Sequence, residues 1–390
     1  MHEQILSRSQ AVCLFVLFTL GTGLIHAEGT HLYQDGWIAT LGGLIMAIPL
    51  IVLYTRLLTL FPGKNGAEML RLCFGRVLGG FLTILFCLYA LYTAAHALRT
   101  LSDYIQITSI PETPQYLMIF ALAILSLYGV RSGVRTLGQW SIYILPLVVL
   151  VVAGTCIIGI TDMDFHNLLP MFQAPPKDLI QGSFNALSSP FGETVLFLFV
   201  FDTFKPKKEP SRALYIALAI TAALFMLSTL RNILILGPVA ISHTLYPGYS
   251  SVRILSAGNF LTRFEALVSV NLILAGFIKI CVGVFAASRA LSTLLGIPVS
   301  SKALNVPLIF ATAALSLWIY RTSLEAERIY AAYPYFVLPL QLGIPTLMWL
   351  IGEFRYRRRS SHKPRLTGTR NVQTPKELTD SPSQITSRTL

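Results

Sequence analysis

Ser189-Pro190-Phe191-Gly192-Glu193 stands in the middle of an apolar run that covers residues 178–203. The run is long enough to cross a ~30 Å hydrocarbon layer, for which about twenty helical residues suffice. This pentapeptide nevertheless cannot carry a regular helix. Pro190 lacks an N–H and its ring crowds the preceding turn, while Gly192 is a poor helix former. Glu193 adds a carboxylate at membrane depth, where a charge is costly unless it is paired or wetted. A span broken at its centre beside an acid decides how the rest of the chain is read.

Working outward, the 390 residues are 54% hydrophobic and only 12% charged, with a mean hydropathy of +0.64. Soluble domains carry about 25% charged residues, so half of the usual solvating surface is missing. The solvent that tolerates such a surface is a bilayer. Apolar runs lie near 9–27, 37–60, 78–98, 115–130, 138–160, 178–203, 211–236, 264–294, 304–320 and 332–352. Each must be helical, because lipid offers no partner to an open strand edge. The expectation is an all-α polytopic membrane protein of about ten spans.

Residues 1–353 form the membrane domain, with halves near 9–160 and 178–352, and 354–390 form a disordered basic tail. That tail is rich in Ser, Thr, Pro, Lys and Arg and shows no apolar periodicity. Lys and Arg concentrate in the loops that share a side with the N-terminus and the tail, which places both termini in the cytoplasm. The first run resembles a signal peptide, but cleavage after Ala27 would put Ile25 where a small residue is wanted. A retained first helix is expected.

The first span carries an interruption of its own, Gly21-Thr22-Gly23. Both interruptions fall about a dozen residues into their spans, near the midplane at 1.5 Å per residue. They are separated by close to half of the embedded length, and an odd number of spans per half inverts the second half against the first. Interrupted helices at matching places in two inverted five-helix halves point to a midplane binding site. A five-plus-five plan follows.

The candidate ligand-binding residues come from these breaks and from what faces them. Gly21, Thr22 and Gly23 can offer unwound backbone dipoles to the charged ends of an amino acid. Ser189, Pro190, Phe191, Gly192 and Glu193 do the same from the sixth span, where Glu193 can meet an ammonium, a proton or a basic partner. Lys279 sits mid-span in the eighth run, too deep to snorkel with ease, and Glu193 is its first partner to test. Tyr92 shares a helical face with Tyr89 and His96 and is a cavity-lining candidate. Each has a plainer reading: small residues pack helices, proline kinks them, and a Lys–Glu pair can simply lock two spans. Arg231 lies near enough to the end of the seventh span to snorkel, so it is given no role.

The same residues exclude much. The net charge of +12 resides largely in the tail that opens Arg355-Tyr356-Arg357-Arg358-Arg359, a pattern that meets anionic lipid rather than nucleic acid. Cys13, Cys73, Cys87, Cys156 and Cys281 have no metal-ligand spacing, and neither do the histidines. Pro62-Gly63-Lys64-Asn65-Gly66 lacks the spacing of a phosphate loop, and the loops are too short for a catalytic domain. No enzyme, cofactor or metal is expected.

Pro190-Phe191-Gly192-Glu193 within an apolar helix resembles the sixth-helix motif of the B subunits of bacterial spore germinant receptors, the spore permease family. Ile110-Pro111-Glu112-Thr113-Pro114 resembles that family's sequence before the fourth helix. Further matches are Asn167-Leu168-Leu169-Pro170, Asn232-Ile233-Leu234-Ile235-Leu236-Gly237-Pro238, Tyr246-Pro247, the stretch from Gly258 to Leu267, and Gly276-Phe277-Ile278-Lys279. Asn259 departs from the usual Asp, Arg231 precedes the seventh-helix Asn, and the basic tail is long for the family. The resemblance implies the amino acid–polyamine–organocation superfamily and a leucine-transporter-like fold, in agreement with the five-plus-five plan. It also implies a subunit that binds a small nutrient germinant, such as an amino acid, in the spore inner membrane. An A subunit and a lipoprotein C subunit would be its partners. A secondary amino-acid transporter is the alternative, because both roles need the same broken helices; a ligand-gated conduit through the same cavity is a third.

Overall fold

The computed structural model describes residues 6–25, 29–203, 210–256, 264–298, 302–320 and 323–361. In chain order the α-helices are α1 (Arg8–Gly23), α2 (Gly36–Leu60), α3 (Gly66–Thr108), α4 (Gln115–Ser132), α5 (Val134–Ile158) and α6 (Pro176–Ala186). They continue as α7 (Pro210–Ser242), α8 (Pro247–Ser256), α9 (Phe264–Leu295), α10 (Asn305–Trp318), α11 (Ser323–Leu338) and α12 (Ile344–Ser361). Among the described residues, seven helices are long and apolar enough to cross a membrane. The spans outside that set are the first, the sixth and the ninth. The first stops early at Gly23, the sixth is broken after Ala186, and the ninth is the short α10. With them the chain makes the ten spans of a five-plus-five bundle.

Burial separates inner from outer helices. Every residue of α1 from Leu14 to Gly23 is buried, as expected of a helix that is apolar all round and enclosed by protein. It packs against α9, α7 and α5, while α2 lies on α6 and α7, and α3 lies along α9. The rim turns large apolar side chains outward: Val77 is 88% exposed and Trp318 84%. Such a surface belongs in lipid.

Two prolines show how the sequence builds its kinks and then satisfies them. In α7, Gly237 takes φ +76° and Pro238 has no N–H, which orphans the carbonyl of Leu234 one turn earlier. Asn167 Nδ2 donates to that carbonyl at 2.9 Å, and the Asp164 N–H donates at 3.1 Å. The Asn167 and Asn232–Pro238 motifs are thereby joined, and the segment between the two halves is fastened to α7. In the tenth span, Pro345 likewise orphans the carbonyl of Gln341. Tyr54 Oη donates to it at 2.7 Å, which ties α2 to the π-turn Pro339–Gly343.

Some boundaries differ from the sequence reading. The third span belongs to the second of two helices within α3, which meet at Gly75 (φ +83°), where the backbone leaves helical geometry and a short helix from Gly66 turns into the span. At the other end, α12 reaches Ser361 instead of stopping near residue 353. Arg355 there donates to the carbonyl of Leu72. Residues 362–390, most of the expected tail, lie outside the described residues, as do 258–263 of the Gly258–Leu267 motif.

Candidate functional site

The sixth span breaks where its sequence requires. α6 gives way to a π-turn over Leu187–Phe191, in which Ser189 is extended (φ −140°, ψ 123°). Beyond it, Gly192–Phe199 form a 3-10 helix whose residues are all buried. Eight residues is long for this tighter form, and such a stretch inside a span often marks a hinge. The irregular backbone leaves acceptors to satisfy, and Gln341 Nε2 donates to the carbonyl of Ser188 at 2.7 Å. A Cβ on Gly192 would overlap the Gln341 side-chain amide. Glycine is therefore what allows the sixth and tenth spans to meet here.

The first span behaves differently from its reading. Gly21, Thr22 and Gly23 are helical, and the ladder persists to the Leu24 N–H, which reaches the carbonyl of Leu20 at 3.2 Å. The helix ends after these residues rather than within them. Small residues alone do not unwind a helix whose hydrogen bonds are shielded from water. What they provide is close contact: a Cβ on Gly21 would sit 2.8 Å from Lys279 Cβ and 2.9 Å from the carbonyl of Ala275. Gly23 faces Phe225 and Pro190, so the end of α1 meets the break of the sixth span.

Lys279, on α9, points into this junction and is 0% exposed, and Glu193 is 2% exposed. Lys279 Nζ forms an ion pair with Glu193 Oε2 and donates to Thr22 Oγ1. It also lies 5.6 Å from the centre of the Phe18 ring. The other oxygen of Glu193 accepts from Tyr333 Oη at 3.3 Å. Tyr333 Oη lies 3.4 Å from Tyr89 Oη, and Tyr89 Oη accepts from Gln341 Nε2 at 2.7 Å. Tyr92 stacks on Tyr333 at 5.9 Å between ring centres, and His96 stacks on Tyr92 at 6.2 Å. The structure thus gathers every candidate residue around one centre made by the first, third, sixth, eighth and tenth spans. The reading of the sequence missed Tyr54, Phe225, Tyr333 and Gln341. Gln341 left a signal, a lone amide in an apolar run flanked by Pro339, Gly343 and Pro345.

Arg231 corrects an expectation. Instead of snorkelling it is 4% exposed, enclosed by α5, α7 and α8. It donates to Thr155 Oγ1 at 2.6 Å and to Asn232 Oδ1 at 2.8 Å, and reaches Ser228 Oγ and the carbonyl of Gly248 at 3.5 Å. The α8 helix seals this corner, which distance along the sequence could not reveal. Beyond the pair at the centre, a second ion pair joins Asp202, after the 3-10 helix, to Arg289 of α9.

A first span that ends early at Gly23 and a sixth span broken at Ser189, around a buried centre, define a permease-like membrane protein of the leucine-transporter-like class. Solved structures agree on the fold. MhsT in complex with L-phenylalanine superposes with a TM-score of 0.64 at 11% identity, over 91% of this chain and 97% of that one. Mhp1, a nucleobase-cation-symport-1 family transporter in a closed conformation with bromovinylhydantoin bound, gives 0.60 at 13%, over 92% and 80%. The spore permease profile, described as "Spore germination protein", matches residues 5–324. The chain belongs to that family. It is 26% identical to spore germination protein KB of Bacillus subtilis (strain 168), over 93% of this chain and 98% of the relative. Spore germination protein YndE of the same organism is 22% identical, over 74% and 80%.

Proposed function

We propose that this chain is the B subunit of a nutrient germinant receptor, which binds a small amino-acid-like germinant where its first helix ends and its sixth span breaks. The observation that carries the reading is the buried Lys279–Glu193 centre, set between the end of α1 and the Ser189 break, in a chain of the spore germination family. The ligand-contacting groups are Gly21, Thr22, Gly23, Tyr92, Ser189 to Glu193, and Lys279. Binding drives a response only if two arrangements of the bundle differ in affinity for the ligand. Two opposed half-bundles around one midplane site supply such arrangements. The receptor sits in the spore inner membrane with both termini cytoplasmic, completed by an A subunit and a lipoprotein C subunit.

A secondary amino-acid transporter is the second reading, because the neighbours in fold include a symport-family transporter. Two measurements decide between them. Deleting the gene should abolish the germination response of spores to an amino acid, and proteoliposomes of the purified chain should bind that amino acid without accumulating it. Sustained accumulation with a normal germination response in the deletion strain would establish the transporter instead.

A further inference from the structure

Lys279 and Glu193 present one ammonium and one carboxylate to each other across the junction of four spans. Lys279 belongs to α9 and is braced by Thr22 of α1. Glu193 follows the break of the sixth span and is braced by Tyr333 of the tenth. Among the described residues, each charge finds its full counterpart only in the other. A zwitterionic amino acid carries the same two charges about one carbon apart. Resting on the germinant-binding reading above, we infer that the Lys279–Glu193 pair is a closed receptor for a zwitterion, opened by exchange of partners. The ligand carboxylate takes Lys279, and the ligand ammonium takes Glu193.

Charge balance favours this exchange over any other ligand class. One internal ion pair is replaced by two, and the buried charge sums to zero before and after. A ligand with a single charge satisfies one side chain and orphans the other in a medium that cannot solvate it, which is heavily penalised. The two side chains fix the direction of binding, since the carboxylate can pair only with the Lys279 ammonium and the ammonium only with the Glu193 carboxylate. Insertion also parts the sixth span from α9, so occupancy and movement are the same event. Specificity and response both follow from that single pair.

The test uses the full-length protein, purified in lipid nanodiscs. The twenty common L-amino acids are titrated singly, followed by the methyl ester and the deaminated acid of whichever binds tightest. Both analogues should bind on the order of 100-fold or more weakly, the penalty for leaving a buried partner of the site unpaired. Glu193→Gln should reverse the order, so that the deaminated acid binds more tightly than the zwitterion, an outcome that a purely structural role for Glu193 would not produce. Lys279→Arg should keep the zwitterion preference of the native protein. Analogues that bind the native protein within a few-fold of the zwitterion would overturn the exchange and leave the germinant-binding role standing. Binding of none of the twenty amino acids would overturn both.

Discussion

Among the described residues four cations are buried, Arg99, Arg231, Lys279 and Arg289, and the surroundings of Lys279 and Arg231 are opposites. Lys279 faces a carboxylate, Glu193 of the sixth span, and a hydroxyl, Thr22 of the first. Arg231 faces hydroxyls, an amide and a backbone carbonyl, with no carboxylate partner among the described residues. The contrast follows from the side chains. A guanidinium spreads its charge over five N–H donors and tolerates neutral acceptors, whereas an ammonium is compact and strongly hydrated and needs an anion once it leaves water. The arginine is suited to holding α8 in place. The lysine depends on one partner, and a contact of that kind can be exchanged.

The largest effect is expected at the lysine. Lys279→Met leaves Glu193 buried without its cation and should cost about 3–5 kcal/mol, read as a lower melting temperature in detergent and loss of the germination response. Adding Glu193→Gln to that variant should recover most of the stability and none of the response. Gly192→Val comes next, since its side chain overlaps the Gln341 amide; overpacking of this kind costs about 1–3 kcal/mol. Gln341→Ala in the same chain should relieve part of that loss.

Arg231→Met should cost about 1–2 kcal/mol, because it strands only neutral acceptors. A loss equal to that of Lys279→Met would break the contrast and reveal an acidic partner in a segment beyond the described residues. The half-exposed pair Arg56–Glu353, at 2.8 Å, gives the scale for surface charges. A double-mutant cycle there should yield about 0.2–1 kcal/mol, diminished by salt. Truncation after Ser361 removes none of the residues assigned to ligand contact and should leave amino-acid binding unchanged.

How far the sequence disclosed this arrangement depended on whether the determining contact was local. Pro190 and Gly192 act on their own turns, so the break of the sixth span could be read from them. Lys279 and Glu193 were each conspicuous for being ionisable at membrane depth, and each implied a partner. Arg231 was as conspicuous, but its fate rests on α8 folding back over α7, a contact that no local pattern encodes. Tyr54 is an ordinary aromatic in an apolar run until Pro345, far along the chain, orphans the carbonyl that it serves. Gly21 and Gly23 suggest an unwound turn by residue type alone, yet α1 stays helical through Gly23 because α9, α7 and α5 enclose it.

The second ion pair has a mechanical consequence. The sixth span and α9 run side by side and are fastened at two rungs, Glu193–Lys279 and Asp202–Arg289. Along α9 the rungs stand about 15 Å apart, at 1.5 Å per residue. Two rungs resist both sliding and swinging. With the central one released, the other can serve as a fulcrum for a swing about the Asp202 end. A side-chain exchange of a few ångströms at the centre then works on a lever whose pivot is already in place, and the far arm, carrying α6, sweeps through the larger arc.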